Sequence, residues 1–273
     1  MNLGKETYLN TLSEKLFLHR DNKFLHPLFV LGELFYLLKL SIQSTFSRPF
    51  YWARTCEQIV LLGIGSLSIT AVIGLCMGLV MALNFGYGLS KFGGTLYVPA
   101  VVSLSIVREL APTFTSLLVA GRIGSGMAAE LGSMNVNQQI DALRALGTSP
   151  IRVLVVPRFW AAVISMPLLT AFSATLGVLG GMIICYTDFD IPTGFYMNKV
   201  LDTIRMEDYM SSMIKSAIFG GIIAIFGCYK GLKTKHGTRG VGNSTTWVVV
   251  FSSITILVTN FFLSKVFLAM WGQ

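Results

Sequence analysis

Three ionisable side chains interrupt otherwise uncharged apolar stretches: the adjacent Arg108 and Glu109 within residues 98–119, and Lys215 near the start of residues 209–229. Inside a membrane such groups are costly, so they face a cavity, a partner or a substrate route. Arg108 stands ten residues after Val98, about 15 Å along a helix that rises 1.5 Å per residue. Neighbouring residues on a helix point about 100° apart, so Arg108 and Glu109 must find different partners. A guanidinium presents parallel N–H donors to a phosphate, which makes Arg108 the candidate for an anionic headgroup. Glu109 is then left to Lys215 or to a neighbouring helix. The competing reading is a structural ion pair across helices.

No other constellation points to chemistry. His19, His26 and His236 are scattered, and Cys56, Cys76, Cys185 and Cys228 form no C-x-x-C pair and have no histidine at ligand spacing, so neither a metal site nor a redox pair is expected. The H-E-x-x-H, G-x-S-x-G and calcium-loop patterns are absent, and so is G-x-x-x-x-G-K-[ST]. Without a P-loop the chain cannot cradle nucleotide phosphates. No catalytic residue, cofactor or metal is assigned to it, and ATP-driven work would need a separate subunit.

The elements that position these residues follow from composition. Of 273 residues, 53% are hydrophobic and 12% charged, about half the charge of a soluble domain, with a mean hydropathy of +0.67. Water-soluble globules, disordered chains and collagen-like fibres are excluded. What remains is an all-α polytopic membrane protein. A span needs about 20 apolar residues, and five stretches qualify, at about residues 59–83, 98–120, 159–186, 209–229 and 245–265. They form a five-helix transmembrane domain over residues 58–273, behind a segment 1–57. The first 23 residues lack the pattern of a secretory signal peptide.

Net charge is +8, which reads as orientation and not as a nucleic-acid surface. With the N-terminus in the cytoplasm, the segments 1–58, 120–158 and 230–243 hold 15 basic and 7 acidic residues, while the remainder balances at six and six. The positive-inside rule therefore puts the N-terminus in and the C-terminus out. Leu28, Leu31, Phe35, Leu38, Ile42 and Phe46 step by three and four, which predicts an amphipathic helix over about residues 26–48 lying along the membrane surface. The alternative is a sixth span, in which Glu33 and Lys39 would each cost about 2.5–3.5 kcal/mol at the bilayer centre. Three G-x-x-x-G pairs, Gly74/Gly78, Gly177/Gly181 and Gly227/Gly231, predict close helix packing and assembly.

The connection between the second and third spans predicts one more helix, about Val136 to Leu146, with Asn135 and Gln138 as a capping pair and Gly147 with Pro150 as a stop signal. Val136, Ile140 and Leu143 share one side. That side packs either on the chain's own membrane domain or in a groove of a partner. Thr245 and Thr246 are read as the start of the last helix, capped by Asn243 or Ser244.

Three runs carry a resemblance. Ala128–Met134 (AAELGSM) followed by Gln139–Leu143 (QIDAL), Gly237–Thr246 (GTRGVGNSTT) and Ser105–Pro112 (SIVRELAP) resemble the signatures of the MlaE/YrbE family. These are permease subunits of ABC transporters that work with MCE proteins. The likeness covers about residues 30–270; Gln138 stands where the family usually has Glu, and Ser244 where it often has Ala. The resemblance implies a homodimer and an ATPase subunit (MlaF-like) that holds ATP and magnesium. It also implies a periplasmic MCE carrier (an MlaD-like hexamer) and a small STAS-type subunit (MlaB-like) reached through the ATPase. The cargo would be phospholipid or a related lipid, moved at the cytoplasmic (inner) membrane. The segment 130–146 would be the coupling helix, with Glu130, Gly132, Met134, Gln138, Gln139, Asp141 and Leu143 as its ATPase contacts. A stand-alone secondary transporter or channel is the alternative, and it predicts inverted repeats that five spans do not provide. An intramembrane lipid enzyme would need a nucleophile or metal cluster, and the sequence offers none.

Overall fold

The computed structural model describes residues 26–45, 51–235 and 237–271. The end of the first predicted helix (residues 46–48), His19 and His236 lie outside these. The described residues form helices joined by short turns: α1 His26–Thr45, α2 Trp52–Ser90, α3 Thr95–Val136, α4 Gln139–Ala145, α5 Ile151–Thr187, α6 Thr193–Thr203, α7 Met206–Leu232 and α8 Gly237–Trp271. Five of them, α2, α3, α5, α7 and α8, are long and apolar enough to cross a membrane. The five predicted spans are all present, each longer than its apolar centre.

Two boundaries move for a physical reason. The second span does not stop at residue 120 but continues to Val136, taking with it the first half of the segment predicted as a coupling helix. Ile123, Met127 and Leu131 are buried at four-residue steps, with Ala128 beside them, so a helical face packs on after uniform hydrophobicity ends. The separate helix is only α4, and its predicted cap is corrected: Gln138 makes no side-chain capping bond and sits at φ +59°, while Asn135 Nδ2 donates to the Thr234 carbonyl at 2.9 Å. The stop is as predicted, with Gly147 at φ +72°. The last helix starts at Gly237, eight residues before the predicted start. A side chain at Gly240 would place its Cβ 1.7 Å from the Lys235 carbonyl oxygen, so only glycine permits this close turn. Ser244 is therefore inside the helix and accepts from the Thr234 hydroxyl at 2.8 Å.

The face of α1 is also corrected. Leu31, Phe35 and Ile42 are exposed, and it is Leu34, Leu37 and Ser41 that pack on the bundle. The helix is apolar nearly all round, so the three-four stripe read from sequence has a rival about 100° round the helix. Glu33, on the side opposite the Leu31–Phe35–Ile42 stripe, accepts from the Tyr229 hydroxyl and from Lys233 Nζ, both at 2.5 Å.

The glycine pairs draw the spans of this chain together. A Cβ at Gly78 would lie 1.8 Å from the Gly177 carbonyl oxygen, and one at Gly74 2.5 Å from that of Ser173, which brings α2 into backbone contact with α5. Gly227 and Gly231 do the same for α7 against Gly124, Met127 and Leu131 of α3. Small residues are what permit such approach where lipid is the solvent. α7 is the most enclosed span, while α2 and α8 present broad apolar faces outward. At one end of the bundle α6 is pinned by Tyr196, whose hydroxyl donates to the Val178 carbonyl at 3.0 Å. Burial pushes that hydroxyl well above the usual phenol range, so it stays a donor through alkaline conditions.

Candidate functional site

Arg108 and Glu109 sit on a π-helical turn, Ile106–Leu110, that widens α3 by one residue. Single π turns inside α-helices cluster at functional sites. The sequence supplies the reason: Pro112 has no N–H to return to the Arg108 carbonyl four residues back. That carbonyl accepts from Lys215 Nζ at 3.1 Å instead. A proline defect in one span thus becomes the anchor for a lysine of another.

Lys215 is 2% exposed, and its ammonium also reaches Glu109 Oε1 at 2.8 Å and Ser264 Oγ at 2.9 Å. Asn260 Nδ2 donates to Glu109 Oε2 at 3.0 Å, and Ser264 Oγ to Oε1 at 2.9 Å. The Glu109 carboxylate is therefore held by α7 and α8 together. Arg108 turns the other way, as the 100° offset requires, and donates from Nε to Asp208. Asp208 is 4% exposed, against 35% for Arg108. Its second oxygen accepts the Arg205 N–H at 3.0 Å, capping the start of α7. An open cleft lies over the cluster, lined by Arg108, Glu109, Glu207, Asp208, Ser211 and Lys215, with Phe267 and Leu268 of α8 on its apolar side.

All three residues predicted for the substrate path thus converge on one cleft, at the end of the bundle where α7 begins. Glu109 meets both of the partners left open for it, Lys215 and a neighbouring helix, and both Glu109 and Arg108 take part in ion pairs across helices, as the competing reading expects. Asp208, Asn260 and Ser264 were missed. Asp208 stands seven residues before Lys215, two helical turns along the same face, and Asn260 and Ser264 are four apart in an apolar stretch. Both spacings are readable in the sequence, but Asp208 lies one residue before the predicted span 209–229.

The residues predicted to contact an ATPase lie at the opposite end of the bundle and divide into three groups. Gln138, Gln139 and Asp141 are exposed on or beside α4, with Asp141 paired to Arg144 at 2.8 Å. Gly132 is buried against Thr234, and Met134 and Leu143 are partly buried on the core beside Ile140. Glu130 bridges to Arg158 Nη2 of α5 at 2.6 Å; the arginine is 5% exposed and the glutamate 55%. Glu130 therefore ties α3 to α5, a partner that spacing alone does not reveal. Among the described residues there is no cluster of histidine, cysteine and carboxylates able to hold a metal ion.

The family described as Permease MlaE matches residues 55–266. The chain belongs to the MlaE permease family. A probable ABC transporter permease protein of Rickettsia prowazekii (strain Madrid E) is 38% identical over 228 residues, covering 84% of this chain and 88% of its own. Another of that description, from Synechocystis sp., is 41% identical over 211 residues, covering 77% of this chain and 80% of its own. The chloroplastic protein trigalactosyldiacylglycerol 1 of Arabidopsis thaliana is 36% identical over 217 residues, 80% of this chain and 62% of that protein. The MlaE match reaches into every membrane helix and takes in α4 and the charged residues of the cleft, while Phe267 and Leu268 lie just beyond it. As an ABC transporter permease, an MlaE protein works with an ATPase subunit, which agrees with a sequence that has no P-loop.

Proposed function

We propose that this chain moves phospholipid or a related lipid between the cytoplasmic membrane and a periplasmic MCE carrier, as the permease of an ATP-driven complex. The observation that carries this reading is the charged cleft. Arg108 is partly exposed at a cleft with an apolar wall, while Glu109 and Lys215 fix the walls behind it. A lipid needs that combination, a charged site for the headgroup beside apolar surface for its tails. The Arabidopsis relative is named for a diacylglycerol lipid, which supports the same class of cargo.

In this reading the end bearing α6 and the cleft faces the periplasm, and the end bearing α4 faces the cytoplasm, in keeping with the basic residues gathered there. Two copies of the chain pair in the membrane, and each receives an ATPase subunit on the surface carrying Gln138, Gln139 and Asp141. A small STAS-type subunit reaches the complex through the ATPase. Motion at α4 passes to α5 through the Glu130–Arg158 bridge.

The test is ATP-dependent lipid transfer by the complex reconstituted in proteoliposomes. Arg108→Ala lowers the rate at least about tenfold, the loss expected when a charge-assisted phosphate contact is removed. A wild-type rate in that variant overturns the assignment.

A further inference from the structure

The cleft holds more negative than positive charge. Its lining includes two cations, Arg108 and Lys215, and three carboxylates, Glu109, Glu207 and Asp208, a formal balance of −1. Glu109 and Lys215 satisfy one another through the contacts to α8. That leaves Arg108 paired with Asp208, and Glu207, the residue before it in the first turn of α7, lining the same cleft. Asp208 is buried and fixed, bonded to Arg108 on one side and to the Arg205 N–H on the other. Glu207 is exposed. Arginine has five N–H donors, and among the described residues the Arg108 side chain bonds only Asp208.

A purely anionic headgroup suits this arrangement poorly, because the charge that would hold it is already countered and a further carboxylate stands beside it. A headgroup that carries its own cation suits it well. From this we infer that the cleft selects a zwitterionic headgroup, with its phosphate on the free edge of Arg108 and its ammonium on Glu207, and that Glu207 is the residue setting this specificity. Asp208 holds the guanidinium in place and keeps it from gripping a phosphate too tightly for release. The inference rests on the reading of Arg108 as the headgroup site and adds to it which class of headgroup is taken.

The experiment titrates the purified full-length complex with two short-chain lipids of equal tails, dihexanoyl phosphatidylethanolamine and dihexanoyl phosphatidylglycerol. The wild type binds the ethanolamine lipid about fivefold more tightly, the factor one partly exposed ion pair supplies. Glu207→Gln abolishes the preference, and Glu207→Lys reverses it in favour of the glycerol lipid. Glu207 is exposed, so neither variant puts the fold at risk, and a melting curve beside each titration verifies this. Arg108→Ala weakens binding of both lipids. If the wild type binds both equally, or Glu207→Lys leaves the preference in place, the specificity inference fails while the headgroup site stands. If Arg108→Ala binds both lipids as the wild type does, the headgroup site itself fails.

Discussion

Gly78→Val leaves little folded protein, while Gly88→Ala leaves the yield unchanged. At Gly78 a Cβ would stand 1.8 Å from the Gly177 carbonyl oxygen and 2.6 Å from its carbon. Both obstacles are backbone, so no rotamer change relieves the clash, and α2 must separate from α5. That separation also breaks the close contacts at Gly74 and Gly180 along the same interface. Overpacking of a tight contact costs about 1–3 kcal/mol and occasionally more, and valine at this position falls at the upper end. Gly88 has nothing within 4 Å of its Cβ position, so it serves as the control on the same helix. Monodisperse yield and melting temperature in detergent report both results.

Glu109→Ala destabilises the bundle through the residue it abandons. Lys215 is almost fully buried and, among the described residues, keeps only Ser264 and the Arg108 carbonyl once the carboxylate is gone. A buried charge stripped of its counter-ion costs about 3–5 kcal/mol; because Glu109 lies at the edge of an open cleft, the loss falls near the low end, about 3 kcal/mol. The loss is conditional on the lysine. In Glu109→Leu combined with Lys215→Met neither charge remains, and apolar side chains fill the space. The double variant therefore regains most of the stability lost by Glu109→Ala without regaining transport. Thermal unfolding of the single and double variants checks this. A double variant no more stable than Glu109→Ala would show that the ion pair is not the cause.

The spans were legible because a bilayer imposes one strong rule, length without charge, and Glu57, Lys91, Arg158, Asp188, Arg239 and Lys265 mark its limits plainly. Where the helices continue into polar surroundings the rule is silent, so Val119 looked like an end although Ile123, Met127 and Leu131 carry the packed face onward. Arg108, Glu109 and Lys215 stood out because each is the exception within its apolar stretch. Their partners did not. Asp208 lies among other acids at the start of α7, and only the pairing of α7 with α3 singles it out. For α1 the failure was one of degeneracy: Leu31–Phe35–Ile42 and Leu34–Leu37–Ser41 are both helical stripes, and the surfaces of α5, with Trp160, and of α7, with Tyr229 and Lys233, choose between them. The role of Pro112 lies between these cases. Its missing N–H is written in the sequence, but that Lys215 takes up the freed carbonyl is a fact of the fold.

Lipid transfer through the cleft requires that a headgroup meet Arg108. The most direct measurement is mass spectrometry of the lipids retained by the complex after purification in mild detergent, wild type beside Arg108→Ala at matched stability. Loss of the phosphate contact should deplete bound phospholipid about tenfold in the variant, with the ATPase subunit still co-purifying. Equal phospholipid in the two preparations would contradict the account.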